Sequence, residues 1–483
     1  MNKIRMLIIT CPAFFCVSAT AEGGVSASIE GLLLSIREHT QVPAYSVAIV
    51  RDGQLVAQSA VGEIDVVNHI AASPENWFRL ASVSKVIGAT MLALLVQDGE
   101  LDPNKAIGDY LPDLPSQYQN ITALQLLSHT SGMPHYQARD ALRGDTHYDT
   151  AIDALASVGD RRLLSVPGDS YAYSSHGYTI LSALYEAITG VSLREAVPGF
   201  IKDLTGRDSP ALENLQQRFP RRSNVFDVVA DGAVTLKPHD QSYTPFGTGF
   251  VASATDLAFF GDAVLHSSAI SSETRDLLFQ PVVLTDGGKT GNHLYEVAFG
   301  WRVGSDSSGR TVYHHAGVTS GARSVLILYP ESNLSIAFLS NASWTAQIER
   351  TAFALANLVI EKQQSVSSVG EFAFKGSFDS EDITGTIVCT GETGECLFSD
   401  NLSDKLGAFS EWLTRYLPGD EVNRSWPVLS VYGVDGYALK IVTSVGIVEL
   451  RLNIEGSDDK YFRAEVGNGR LLEIRFPDAS PLR

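Results

Sequence analysis

The chain has 483 residues, 44% of them hydrophobic, enough to bury a sizeable core and to form two domains rather than one. Its formal net charge is −19, a balance that repels polyanions and makes nucleic acid a poor partner. Past the N-terminus no apolar run reaches the roughly 18 residues that a membrane helix needs, and the longest, Val86 to Val96, reads as a buried core helix.

In chain order, Met1-Asn2-Lys3-Ile4-Arg5, an apolar stretch through Phe14, Phe15 and Val17, and Ala19-Thr20-Ala21 have the pattern of a secretory leader. Residues 1–21 are therefore expected to be removed, giving a periplasmic or secreted product that is two charges more negative. Cys11 and Cys16 fall within this leader and lack the small preceding residues of a lipid-anchoring site. Cys389 and Cys396 are then the only mature pair, on either side of the polar turn "TGETGE" in a hairpin pattern. A disulfide between them is expected, with two free thiols as the alternative.

Ile29, Leu32, Leu33 and Ile36 recur at helical spacing, and "AYSVAIV", Arg51-Asp52-Gly53 and "QLVAQSAVG" read as strand, turn and strand. Far downstream "TVYHHAG", "RSVLILYP" and "LSIAFLSN" read as three more strands. They are followed by a helix that places Ile348, Ala352, Leu355 and Val359 on one face. Strands at both ends with helical segments between them predict an α/β (α+β) domain over residues 22–362, one mixed sheet covered by helices. The segment "KQQSVSSVGE", residues 362 to 371, is polar and aperiodic and marks a boundary. Beyond it, residues 371–483 alternate in short runs, with Asn468-Gly469 as a tight turn and one helix expected from Ser403 to Leu417. A smaller, mostly β module follows from that pattern, with a structural or assembly role.

The chemistry is concentrated upstream. In "FRLASVSKVIGATMLALL", Ser82 and Lys85 lie three residues apart at the start of a helix, so both side chains emerge on one face. A serine hydroxyl is a weak nucleophile until a neighbour takes its proton, and a buried lysine with a lowered pKa can do so. The bland alternative is a helix-capping Ser82 with Lys85 in solvent. Some ninety residues on, "PGDSYAYSSHGYTIL" places Tyr173 and Ser175 two apart in a loop that leads into a helix.

In order and wording "FRLASVSK", "LLSHTSG", "PGDSYAYSSHGY" and "FGTGFVASATDLAFFG" resemble the serine β-lactamase and penicillin-binding protein superfamily. Within it they are most similar to the class C-like branch of esterases, D-peptidases and mitochondrial β-lactamase-like serine hydrolases, over about residues 25 to 362. The resemblance implies an antiparallel sheet flanked by helices, with a helix-rich insertion. It makes Ser82 the acylated nucleophile, Lys85 its proton acceptor or electrostatic aid, and Tyr173 the relay to the leaving group. Whether Lys85 or Tyr173 is the general base stays open. Ser175 stands where the family usually has Asn, and His129 matches a loop position near the cleft, where a structural role is expected.

The family's third motif lies on a strand beside the nucleophile, where its backbone helps to form the oxyanion hole. Lys289-Thr290-Gly291 has the right letters, but it sits among glycines and precedes "FGWRV", a segment that in the family comes before this motif. His315-Ala316-Gly317 follows a β run and is the better match, which makes His315, Gly317 and Val318 substrate-binding positions. A metal site at His314-His315 is not expected, because neighbours on a strand point to opposite faces and no HExxH pattern is present. No cofactor is implied. The partner is a small-molecule or peptide substrate carrying an ester or amide. The alternatives are a β-lactamase or D,D-peptidase of the same fold, and a non-catalytic binding or assembly protein suggested by Ser175 and Ala316. Retention of Ser82, Lys85 and Tyr173 together argues against the last.

Overall fold

The computed structural model describes residues 19–360 apart from 137–139, 141–145, 218, 220, 230–231, 307 and 344–347, and eight backbone strands between Gly370 and Arg475. The expected leader lies almost wholly outside the described residues. So do the polar boundary segment, most of "TGETGE", the helix from Ser403 to Leu417 and the Asn468-Gly469 turn.

Helix α1 (Ala19–Thr40) buries Ile29, Leu32, Leu33 and Ile36, the four residues whose spacing marked it. It leads into β1 (Ala44–Arg51) and β2 (Gln54–Asp65), joined at Asp52 and Gly53. Both turn residues have positive φ, 51° and 74°, the left-handed backbone that a two-residue hairpin requires. Next come the short β3 (Ile70–Ala71), then a helix-rich stretch that includes α2 (Ser84–Gln97), α3 (His176–Thr189) and α4 (Ala254–His266). The chain returns through β4 (Tyr295–Val297), β5 (Arg302–Ser305), β6 (Thr311–Thr319), β7 (Ala322–Tyr329) and β8 (Leu334–Ser340), and the domain ends in α5 (Ile348–Ile360).

Eight strands form one antiparallel sheet in the order β3-β2-β1-β8-β7-β6-β5-β4. The two ends of the domain meet where β1 pairs with β8, in register from Tyr45 with Ser340 to Arg51 with Leu334. These central strands are buried on both faces, so β1 and β8 read as almost continuous apolar runs. One face carries α1 and α5 over Val47, Ile49, Val325, Ile327 and Phe338; the other carries the main core, with α2 and α4 over Ala48, Leu326 and Leu328.

The eight strands from Gly370–Phe378 to Arg470–Arg475 form a closed antiparallel barrel, the first pairing with the last. Cys389 and Cys396 are register partners on adjacent strands. Strands Tyr437–Thr443 and Gly446–Ile454 run beside α1 and α5, on the face of the sheet away from α2.

Candidate active site

Ser82 sits in a one-turn 3₁₀ segment, Ala81–Val83, that feeds α2. Its backbone is held from two sides. The Leu80 N–H donates to the Phe250 carbonyl, and the Ser324 hydroxyl on β7 donates to the Leu80 carbonyl. Ala81 has a φ of 47°, a left-handed conformation that an alanine adopts only when its surroundings enforce it. Strand β6 passes directly over this turn. A Cβ at Gly317 would lie 2.4 Å from the Leu80 carbonyl oxygen and 2.8 Å from the Ser82 nitrogen, so only glycine permits the approach.

Lys85 is fully buried, and its Nζ donates to Ser82 Oγ at 3.1 Å, Ser175 Oγ at 3.0 Å and the Gly247 carbonyl at 2.9 Å. Ser82 makes no helix cap and Lys85 is not in solvent, so the bland alternative fails. The third acceptor depends on Gly88. A Cβ there would meet the Phe246 ring at 2.4 Å, and without one the 245–248 turn seats on α2 with the Gly247 carbonyl reaching Lys85. Burial pushes the Lys85 ammonium below the ordinary lysine value, and the positive charge of Arg302 pushes it the same way.

Tyr173 is presented by a loop laced to the 129–135 segment. Ala172 N–H donates to the His129 carbonyl, Ser174 N–H to His129 Nδ1, and the Ser174 hydroxyl to the Pro134 carbonyl. The His129 ring lies 4.2 Å from the Tyr173 ring, centroid to centroid, and is buried, a packing position in keeping with the structural role expected for it. Burial alone would raise the Tyr173 phenol, but Lys85 and Arg302 together with hydrogen bonds to Ser82 and Lys85 outweigh it and hold the phenol below the usual tyrosine value.

The structure thus brings Ser82, Lys85, Tyr173 and Ser175 together, with Gly317 against the nucleophile and His315 6.3 Å from the Tyr173 ring. Val318, next to Gly317, is exposed. Lys289 is placed elsewhere, on an exposed loop where it pairs with Glu296 at 2.7 Å. Burial, then Arg302 and Lys85, force the His315 imidazole well below the ordinary histidine value. Its Nδ1–H is spent on the Ala316 carbonyl at 2.7 Å.

Two neighbours were not anticipated. Arg302, at the start of β5, stands 6.0 Å from the Tyr173 ring and 4.4 Å from the Tyr295 ring, with Glu349 at 3.6 Å. His135 stands edge-on to Tyr173 at 5.2 Å, accepts from the Ser175 N–H, and is pushed down to about 4, first by burial and then by Lys85. Among the described residues no cluster of three or more His, Cys, Asp or Glu could hold a metal ion.

A serine, a buried lysine and a tyrosine assembled on an antiparallel sheet define the class as serine hydrolases that work by acyl transfer. The chain belongs to the Beta-lactamase family, whose sequence profile matches residues 30–360. It is 24% identical over 375 residues to penicillin-binding protein 4* of Bacillus subtilis (strain 168), covering 71% of this chain and 81% of that protein. To the mitochondrial serine beta-lactamase-like protein LACTB of Homo sapiens it is 23% identical over 393 residues, covering 63% and 72% of the two chains. The octameric penicillin-binding protein homologue from Pyrococcus abyssi shares its fold, with a TM-score of 0.59 at 18% identity over 93% of this chain and 99% of that one.

Proposed function

We propose that the protein is an exported hydrolase that cleaves esters or peptide-like amides through a covalent acyl-Ser82 intermediate. The observation that carries this reading is the fully buried Lys85 Nζ, 3.1 Å from Ser82 Oγ and, among the described residues, bonded to no carboxylate. Ser82 Oγ attacks the substrate carbonyl as its proton passes into the Lys85–Tyr173 pair, and Tyr173 returns a proton to the leaving alcohol or amine. Water then attacks the acyl ester by the same route in reverse and frees Ser82. The Ser82 N–H and the backbone of β6 at Gly317 and Val318 receive the developing oxyanion. Pairing of β5 with β6 ends at His314, which leaves residues 315–319 with an unpaired edge along which an extended acyl donor can lie. Rapid acid quenching during turnover of a p-nitrophenyl ester should give a peptide bearing the acyl mass on Ser82. Acyl mass on another residue, or none under conditions where deacylation is slow, refutes the reading.

The leader pattern supports placement in the periplasm or outside the cell, where Cys389 and Cys396, opposite each other on paired strands, would be oxidised. Among the described residues no helix is long and apolar enough to cross a membrane. We assign the C-terminal barrel an accessory role, because Ser82, Lys85, Tyr173 and Gly317 all belong to the first domain. A chain ending near Gln363 should fold and keep at least about half of its activity on a small activated ester. An insoluble or inert product would make the barrel part of the catalytic core.

A further inference from the structure

We propose that Arg302 supplies from the neighbouring strand the fixed positive charge that His315-Ala316 lacks, and that it acts as a positioning residue keeping the Lys85–Tyr173 pair one proton short. The inference rests on the acyl-transfer reading above. Its first support is placement. Arg302 is the register partner of His314 and the last β5 residue to pair with β6, so its guanidinium stands where the two strands part. Glu349 lies on one side of it at 3.6 Å and the Tyr173 ring on another at 6.0 Å.

The second support is the set of groups around Tyr173. Lys85 approaches from α2 with its Nζ 5.1 Å from the ring centroid, His129 and His135 from the loop after residue 128, His315 from β6, and Arg302 from β5. The three histidines are neutral at pH 7, because burial forces all of them down. Tyr171 and Tyr178 are pushed up by burial and stay protonated. Lys85 and Arg302 are therefore the charges that bear on the phenol, with Glu349 partly offsetting Arg302. Arg302 disfavours a proton on Lys85 and on Tyr173 alike, so the effect on the pair is the same whichever of them holds it.

The test is the acid limb of kcat/KM for an uncharged p-nitrophenyl ester, followed from about pH 5 to about pH 10. In Arg302→Gln the limb should move up by about one pH unit, a tenfold loss on the acid side that closes on the alkaline plateau. Arg302→Lys should stay near the parent. Arg302→Gln combined with His315→Lys, which returns a cation to the third motif, should bring the limb back down. Glu349→Gln, at a partly exposed site, should move it the other way, below the parent, and so tests the proposal even where Arg302→Gln fails to fold. A limb that stays put in Glu349→Gln overturns the proposal. So does an Arg302→Gln enzyme that loses rate equally at every pH, or only with carboxylate-bearing esters. Failure to detect acyl-Ser82 would instead remove the underlying reading.

Discussion

Ser82→Ala should abolish both turnover and covalent labelling by a fluorophosphonate-type probe, with activity falling by at least about 10⁴-fold. Ser82 Oγ is the hydroxyl that accepts from Lys85 Nζ at the turn over which β6 passes. Lys85→Ala should keep the nucleophile but lose at least about 10²-fold in rate, because Ser82 Oγ loses its 3.1 Å partner and the remaining Tyr173 phenol loses the charge that holds it below the usual tyrosine value. It also strands the Ser175 hydroxyl and the Gly247 carbonyl in a buried space, so a thermal melt belongs beside the rate. Labelling that persists in Ser82→Ala would move the nucleophile elsewhere. Unchanged turnover in Lys85→Ala would remove lysine from the proton path.

Much of this arrangement was legible in the residues. Ser82 and Lys85 are one helical turn apart, and that spacing puts their side chains on one face, where the turn held at Leu80 brings them to 3.1 Å. Strands β7 and β8 were legible because burial on both faces leaves long apolar runs with turn residues between them, whereas β6 is only partly buried and was marked by its β-prone residues. The choice between Lys289 and His315 was decided by strand pattern, since the position needs a strand and the glycine-rich loop has none.

What stayed hidden depends on tertiary placement. Gly247 acts through a backbone carbonyl, which leaves no signature in its own identity, and Gly88 matters only because Phe246 lands on it. Arg302 in "FGWRV" looks like any solvated strand arginine until β5 and β6 part beside it. The usable signal was a basic residue following the fully buried Phe299 and Trp301, thirteen residues ahead of a motif lacking its lysine. The alternating C-terminal runs identified strands, but closure into a barrel pairs residues near 376 with residues near 474. Local alternation carries no information about that distant pairing.

The second large effect concerns substrate class, where p-nitrophenyl esters should exceed nitrocefin in kcat/KM by about 10²-fold. A β-lactam carboxylate is held best by a fixed cation and a hydroxyl donor together, a charge-assisted arrangement whose loss costs about two orders of magnitude. Ala316 has no hydroxyl. His315 donates its Nδ1–H to the Ala316 carbonyl, so the neutral ring has only a lone pair at Nε2, which repels a carboxylate. Arg302 is the remaining cation nearby, already faced by Glu349 and stacked on Tyr295. The sign of the pH effect follows from His315. Its folded-state pKa lies well below the ordinary 6.5, so it is uncharged at pH 7 and still uncharged at pH 6. The ratio of nitrocefin to ester rates should therefore stay flat between those values, both substrates sharing one acid limb. His315→Lys should raise the ratio by about tenfold and leave it equally flat. A ratio that climbs on acidification would show that His315 gains its proton despite burial, and a nitrocefin value at or above the ester value would make carboxylate-bearing lactams the preferred substrates.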